Sequence, residues 1–174
     1  QAFHLIEEMT VYENIETPLL YKGVKTKDRQ AMIAEMLDRF NMVAKKDLFP
    51  SQLSGGQQQL ISIMRALAPY PEVLFLDEPF SALDYEMTLF MRDKLQAIFE
   101  TTKTTMILVS HDLDEAVYLA DHILMLTRRP TRVAQEIAFT APRPRQTSTL
   151  TSEIFNVVKG QCLDIFQKEI KVLS

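Results

Sequence analysis

The first half of the chain contains a segment whose residue types suit the binding of a phosphate group, Leu53-Ser54-Gly55-Gly56-Gln57. Two adjacent glycines let the backbone approach an oxyanion closely, because neither residue carries a Cβ. Ser54 adds a hydroxyl group, and Ser54 with Gln57 has the spacing of a capping box that starts a helix. The first N–H groups of such a helix lack intrahelical acceptors and lie at the positive end of its dipole. The simpler interpretation is a serine-capped helix behind a glycine turn.

A second candidate site follows the apolar run VLFL, which predicts a strand and places Asp77 and Glu78 directly behind it. Ligands of open α/β sheets bind at the carboxyl ends of the strands, so both carboxylates stand where a ligand is expected. Asp77 is the type of residue that holds a nucleotide-bound Mg²⁺, commonly through water. Glu78 could polarise an attacking water as a general base. The simpler alternative is an Asp-Glu pair that caps a strand on a solvated loop.

Helices and strands that alternate along the chain must position these residues. The capping and periodicity signals predict helices at about Val11–Tyr21, after Thr26, from Ser54 to near Ala68, at about Tyr85–Glu100, Leu113–Leu119 and Thr151–Val172. Short apolar runs predict strands at Val73–Leu76, Thr105–Val109 and Ile123–Leu126, and a further strand is predicted at Arg132–Phe139. Apolar strands that alternate with helices indicate a parallel sheet buried on both faces. The predicted fold class is therefore α/β, with a helical lobe in front.

Composition narrows the class of protein. The 174 residues fit one domain, and 47% hydrophobic with 24% charged residues is ordinary for a globular protein. The apolar runs are too short to cross a bilayer, so any membrane role is expected to be peripheral. The single cysteine, Cys162, excludes an internal disulfide and suits a reducing cytoplasm. A net charge of −4 without a long basic run gives no support to nucleic-acid binding.

Read in order, these segments resemble the ATP-binding subunits of ABC transporters. LSGGQ resembles the signature motif of that family, and VLFLDEP resembles its Walker B strand with the catalytic glutamate at Glu78. Ser81-Ala82-Leu83-Asp84 is similar to the D-loop, which makes Asp84 a nucleotide-site residue. His111 resembles the switch histidine that contacts the γ-phosphate. Gln1 resembles the Q-loop glutamine, which senses Mg²⁺ and the transmembrane partner.

The resemblance implies a P-loop NTPase core with a parallel sheet and a helical signature subdomain. We expect a single ABC ATPase domain over residues 1–174, with the helical subdomain at about 4–65, the C-terminal part of the α/β core at about 66–147, and a C-terminal helix at about 148–174. The phosphate loop G-x-x-x-x-G-K-[ST] does not occur in the sequence. We therefore expect that the first part of the core is missing and that this fragment alone does not hydrolyse ATP. A degenerate, non-hydrolysing ABC domain is the rival explanation.

The same resemblance implies a homodimer that sandwiches two ATP molecules with Mg²⁺. Ser54, Gly55, Gly56 and Gln57 would serve the ATP of the partner subunit. The residues that would serve the ATP held in cis are Glu78, Asp77, Gln1 and His111, with the metal ion reached by Asp77 and Gln1. The segment from Phe3 to Tyr21 would dock transmembrane permease subunits, which places the protein at the cytoplasmic face of the membrane as a peripheral subunit.

Subfamily features point in two directions. From Ser110 onward, HDLDEAVYLADHILMLTRRPTRVAQEI and the later PRPR resemble ATPases of nitrate, sulfonate and taurine importers. The front, TVYENIETPLLYKGVK, is closer to ATPases of lipoprotein-release and macrolide-export systems. The longer tract favours an importer, which would also work with a periplasmic or extracellular substrate-binding protein. Two other classes stay open: a soluble ABC ATPase that acts on DNA or ribosomes, and a non-catalytic interaction module in which Glu78 and His111 are relics.

Overall fold

The computed structural model describes residues 4–171. The chain divides into two compact units, Gln1–Ile107 and Leu108–Ser174. The helices are α1 (Val11–Tyr21), α2 (Thr26–Arg39), α3 (Gly55–Leu67), α4 (Tyr85–Thr102), α5 (Leu113–Leu119) and α6 (Glu153–Lys171). The strands are β1 (Val73–Asp77), β2 (Thr105–Val109), β3 (His122–Leu126) and β4 (Val133–Ala138). Single 3₁₀ turns lie at Val43–Lys45 and Pro50–Gln52, and a longer 3₁₀ segment at Thr147–Thr151.

Local sequence signals set the ends of α1. The Thr10 hydroxyl accepts from the Glu13 N–H at 3.2 Å, and the Thr10 N–H donates to the Glu13 carboxylate at 2.7 Å. At the other end Gly23 has a φ of 68°, which lets its N–H and the next one bond back to Leu20 and Leu19 carbonyls. The predicted capping box, the span Val11–Tyr21 and the stop at Gly23 are therefore confirmed.

The helices of the first unit pack around an apolar core. Inward-facing residues of α1, α2 and α3 are buried, among them Ile15, Leu19, Ile33, Leu60 and Met64. These residues recur at the spacing of one helix face, so each helix contributes a stripe to the core. The core supports the start of α3 on one side, which matters because the LSGGQ segment lies there.

A two-stranded sheet is formed by β1 and β2, which are joined through α4. A helical crossover of this kind connects parallel neighbours. Leu74 and Leu76 are buried, whereas the alternate residue Phe75 is 71% exposed. The expectation that these strands are buried on both faces is therefore wrong for this chain. The alternation follows from the period of two along a strand, which places Phe75 on the face opposite Leu74 and Leu76.

The second unit is built on an antiparallel hairpin. His122 pairs with Ala138 and Ile123 with Ile137, and the register shifts between Met125 and Leu126. The prediction that the Ile123–Leu126 strand joins the parallel sheet is thus wrong, because this strand pairs with the one that follows it. The inner face of the hairpin packs against α5 and α6, and the buried cluster includes Val117, Tyr118, Phe139, Phe155 and Cys162.

Two predicted helix boundaries need small corrections. The helix α4 continues two residues beyond Glu100, to Thr102, where Lys103 in the left-handed region ends it. The C-terminal helix begins at Glu153 instead of Thr151, because a 3₁₀ segment occupies Thr147–Thr151. Its predicted end, Val172, lies outside the described residues. Among the helices that the structure describes, none is both long and apolar enough to cross a membrane.

The PRPR tract forms a clamp under the C-terminal end of α5. Arg145 has a fully buried side chain, which donates to the carbonyls of Tyr118, Ala120 and Phe139 at 2.9, 2.7 and 3.1 Å and to Asp121 Oδ1 at 2.8 Å. Its guanidinium also lies 4.6 Å from the centre of the Phe139 ring. Burial and, after it, the neighbouring Arg143 lower the pKa of Arg145 to about 10. The clamp thereby fixes the last carbonyls of α5, which a helix leaves without intrahelical donors.

Candidate functional site

The LSGGQ segment starts α3 as the sequence predicts. Ser54 is the N-cap: its hydroxyl accepts from the Gln57 N–H at 3.3 Å, and the Ser54 N–H donates to the Gln57 side-chain oxygen at 3.1 Å. The side chains of Ser54 and Gln57 thus satisfy each other and hold the first turn. Gly55 and Gly56 follow as the first helical residues, whose N–H groups have no acceptor within the helix. The arrangement presents donors and a positive dipole end, which suits an anion.

The two carboxylates lie at the end of β1. Asp77 is the last residue of the strand and is exposed, and Glu78 follows it half-buried. The Glu78 backbone has a φ of 46°, in the left-handed region that residues other than glycine rarely adopt. Its carbonyl accepts from the Ser81 hydroxyl at 2.9 Å and from the Ser81 N–H at 3.3 Å. Strained backbone of this kind clusters at functional sites, where the surrounding structure holds it.

The segment after Glu78 brings the second candidate site next to the first. A Cβ added to Gly56 would meet Leu83 Cδ2 at 3.2 Å and the Ala82 carbonyl oxygen at 3.8 Å. The start of α3 and the Ser81–Asp84 segment are therefore neighbours, and the missing Cβ of Gly56 permits their close approach. Asp84 itself is the N-cap of α4 and accepts from the Met87 N–H at 2.8 Å. Its side chain has a structural role here, independent of any nucleotide.

His111 belongs to the second unit, at an exposed position between β2 and α5. The adjacent Asp112 caps α5, accepting from the N–H groups of Asp114 and Glu115 at 2.8 and 3.1 Å. On the other side, the Ser110 hydroxyl donates to the Glu115 carboxylate at 2.7 Å. The histidine therefore lies in a segment whose two neighbours are both bonded to the first turn of α5.

The described residues contain no group of three or more His, Cys, Asp or Glu side chains that could hold a metal ion. A magnesium ion that is held mainly by nucleotide phosphates and water needs only one or two protein carboxylates. The exposed carboxylate of Asp77 at the strand end fits that requirement. The other predicted metal-site residue, Gln1, lies outside the described residues.

Three contacts of the structure have no signal strong enough for a prediction from sequence. They are the Ser81 bonds to the Glu78 carbonyl, the Ser110–Glu115 contact and the Arg145 clamp. The pairing rules of helices apply to side chains three or four residues apart within one helix. Ser110 lies five residues from Glu115 and precedes α5, so these rules do not predict their contact. From the sequence alone, the PRPR tract indicates a turn, because its prolines dominate the pattern.

Comparisons with known proteins agree with the motifs. The sequence profile described as ABC transporter matches residues 1–81. An aliphatic sulfonates import ATP-binding protein, SsuB of Bacillus licheniformis, is 37% identical over 96% of this chain and 63% of its own length. The uncharacterized ABC transporter ATP-binding protein MJ0412 of Methanocaldococcus jannaschii is 33% identical over 94% of the chain and 63% of its own length. The trimethylamine N-oxide transport system ATP-binding protein TmoW of Pelagibacter ubique is 43% identical over 72% of the chain and 37% of its own length.

Solved structures give the same result for the fold. The dimeric structure of MJ0796, described as a bacterial ABC transporter cassette, has a TM-score of 0.71 and 31% identity over 82% of this chain and 62% of that one. A second structure of MJ0796, a dimeric post-hydrolysis state bound to ADP and Pi, has a TM-score of 0.70 and 30% identity. The chain thus spans less than two thirds of the length of these relatives. The predicted α/β class and the predicted resemblance to the ATP-binding domains of ABC transporters are confirmed.

Proposed function

We propose that the full-length protein is the ATP-hydrolysing subunit of an ABC membrane transporter, and that residues 1–174 form part of a single ATPase domain. The observation that carries this proposal is the end of β1, where Asp77 is followed by a glutamate held in the left-handed region. Glu78 is the general base that polarises the attacking water, and His111 contacts the γ-phosphate. Asp77 and Gln1 would be the residues of this chain that hold the nucleotide-bound Mg²⁺, which would neutralise charge on the phosphates.

The role of Glu78 is tested in the full-length protein with Glu78→Gln, which removes the base and keeps the side-chain size. Turnover should fall at least about a hundredfold, the scale for the loss of a general base, while ATP binding is retained. Glu86→Gln is the matched control, because Glu86 is exposed in the first turn of α4 and has no part in the proposed chemistry. Near-normal turnover of Glu78→Gln would remove Glu78 from the role of base and favour the non-catalytic module.

We further propose that the α3 start acts on the ATP of a partner subunit in a homodimer. The exposed, capped first turn with Ser54, Gly55, Gly56 and Gln57 supports this, as does the dimeric state named for MJ0796. Asp84, next to Gly56 through Leu83, belongs to the same interface. Mixing Ser54→Arg subunits with subunits whose phosphate loop is inactivated gives dimers with one doubly defective and one intact site. Partial activity of the mixture supports action in trans, and complete inactivity contradicts it.

The transporter partner is proposed to dock on the front of the first unit. At the end of α1, Tyr21 is 90% exposed and Leu20 is more than half exposed, which gives an apolar surface that suits a permease subunit. Docking there places the protein at the cytoplasmic face of the membrane, together with a substrate-binding protein outside. Tyr21→Glu should abolish co-purification with the permease subunits while ATP binding of the free subunit is unchanged. Retained co-purification would move the docking surface elsewhere.

The names of the relatives support an importer, and we propose nitrate, sulfonates or taurine as the class of substrate. SsuB is named for aliphatic sulfonates, whereas TmoW is named for trimethylamine N-oxide. Uptake of labelled sulfonate, taurine, nitrate and trimethylamine N-oxide should be compared in cells that lack the gene and carry wild type or Glu78→Gln. Loss of anion uptake with Glu78→Gln supports the proposal. Unchanged uptake of all four compounds, with lost export of a lipoprotein or macrolide, would favour an exporter.

A further inference from the structure

One serine hydroxyl bridges the backbone around His111. Ser110 Oγ donates its hydrogen to Glu115 Oε2 at 2.7 Å and accepts from the Asp112 N–H at 3.1 Å. The Asp112 N–H belongs to the peptide bond that follows His111, so this bond fixes the peptide plane next to the imidazole. Because the bond to an ionised carboxylate is strong, Glu115 fixes the direction of the hydroxyl and leaves its lone pair aimed at Asp112.

The helix that carries Glu115 is anchored along its length within the second unit. Val117 and Tyr118 are buried in the cluster with α6, and the arginine clamp holds the last carbonyls of α5. Near its start, Asp114 pairs with Lys159 of α6 at 2.6 Å. The Glu115 carboxylate therefore extends from a fixed helix towards Ser110.

Helix capping does not account for the Ser110–Glu115 contact. Asp112 alone accepts from the N–H groups of Asp114 and Glu115, and its carbonyl accepts from the Ala116 N–H at 3.1 Å. These bonds satisfy the N–H groups of Asp114, Glu115 and Ala116 without the Glu115 carboxylate. The Glu115 carboxylate instead accepts from Ser110, the residue before His111, which lies outside the helix. This bond is the tie between α5 and the His111 segment.

We propose that Glu115, acting through Ser110, is a positioning residue that holds His111 in the orientation needed for its contact with the nucleotide. This inference deepens the proposed function and rests on the role of His111 in it. The tie restricts the peptide plane that follows His111, so the imidazole meets the γ-phosphate without a search among conformations of that peptide. Misplacement of a contributing group by a small distance lowers a rate steeply, which sets the expected size of the effect.

The positioning itself is measured by hydrogen exchange of the Asp112 amide in the full-length protein. Glu115→Ala and Ser110→Ala should each accelerate this exchange about tenfold or more, because Ser110→Ala removes the acceptor of the Asp112 N–H and Glu115→Ala removes the carboxylate that orients it. Glu115→Gln and Ser110→Thr should keep it slow, since each retains the oxygen that the contact uses. Asp114→Ala is the control on the same helix, because it removes only the half-exposed pair with Lys159. Unchanged exchange in both alanine variants overturns the proposal.

The consequence for turnover is measured by a double-mutant cycle with His111→Ala. At saturating ATP, Glu115→Ala and Ser110→Ala should lower kcat about tenfold with little change in KM, and the Gln and Thr variants should restore it. In the His111→Ala background the same substitutions should cost nothing further. An equal loss in that background would show that Glu115 acts on stability or on another group, and would overturn the proposal.

The two measurements separate this inference from the proposed function. If His111→Ala by itself leaves turnover unchanged, the proposed role of His111 fails, and Glu115 then positions nothing that the reaction uses. If His111→Ala lowers turnover while Glu115→Ala does not, the role of His111 stands and the positioning inference is wrong.

Discussion

Replacement of Arg145 by lysine should destabilise the second unit although the charge is kept. The guanidinium donates five N–H···O contacts, to the carbonyls of Tyr118, Ala120, Phe139 and Ala141 and to Asp121. An ammonium group has only three N–H donors, so at least two contacts are lost. A hydrogen bond to a charged group contributes about 1.5–3 kcal/mol, and the side chain of Arg145 is fully buried, which leaves no water to replace the loss. We therefore expect Arg145→Lys to cost about 3 kcal/mol or more.

Arg143→Lys is the matched control for this substitution. Arg143 contacts the Leu119 carbonyl and the Asp121 carboxylate, and its side chain is 16% exposed. Because solvent reaches this side chain, water can replace contacts that a lysine does not make. The expected cost is about 1 kcal/mol, close to one ordinary hydrogen bond.

The assay uses Cys162, which is fully buried in the same unit. Burial also raises the pKa of this thiol, so the folded unit should resist thiol reagents. The labelled fraction of the Cys162 peptide, measured by mass spectrometry across a urea series, gives the free energy of unfolding of this unit in the full-length protein. A cost for Arg145→Lys below about 1 kcal/mol, or no greater than that for Arg143→Lys, would refute the hydrogen-bond reasoning.

Two further predictions concern the first unit. Gly56→Ala should change the unfolding free energy by less than about 1 kcal/mol, because the gain in helix propensity opposes the 3.2 Å contact with Leu83. In a Leu83→Ala background the same substitution should raise the melting temperature, and a large loss there would contradict the assigned contact. Hydrogen bonds from the Thr10 backbone and side chain lower the pKa of Glu13 in the folded protein. The contribution of Glu13 to stability is therefore fully present above its unfolded pKa of about 4.3. It is lost as the pH falls through the lowered pKa of the folded state. The stability difference between wild type and Glu13→Gln should therefore shrink in acid, and a difference independent of pH would remove the capping carboxylate as its cause.

The helix starts could be predicted from sequence because their causes are local. Thr10 with Glu13 and Ser54 with Gln57 satisfy each other across three residues, whatever the rest of the chain does. The position of Asp77 at a strand end could also be predicted from local sequence. An apolar run followed by two carboxylates indicates a buried strand that ends where the charged residues begin. These local signals predicted that LSGGQ starts a helix and that Asp77 ends a strand, as the structure has them.

The pairing of β3 could not be predicted, because its cause is not local. The run Ile123–Leu126 suits a parallel or an antiparallel neighbour equally well, and the choice depends on the short turn that returns the chain as β4. Arg145 escaped prediction for a similar reason. Its acceptors lie on the end of α5, on Asp121 and on Phe139, and a buried arginine is recognised only when those carbonyls are seen together.

The left-handed backbone of Glu78 implies that the stability of the fold and the proposed catalytic activity place opposite demands on this position. A non-glycine residue in this region costs about 1–3 kcal/mol, so selection for stability alone would place glycine or asparagine there. The proposed role of the Glu78 carboxylate would offset this cost. Engineering for thermal resistance would be drawn to Glu78→Gly, which should gain up to about 1 kcal/mol and lose the carboxylate together with the proposed chemistry. Such a variant would be more stable and would lack the proposed catalytic activity. It would hold a nucleotide-bound assembly long enough for the assembly to be isolated.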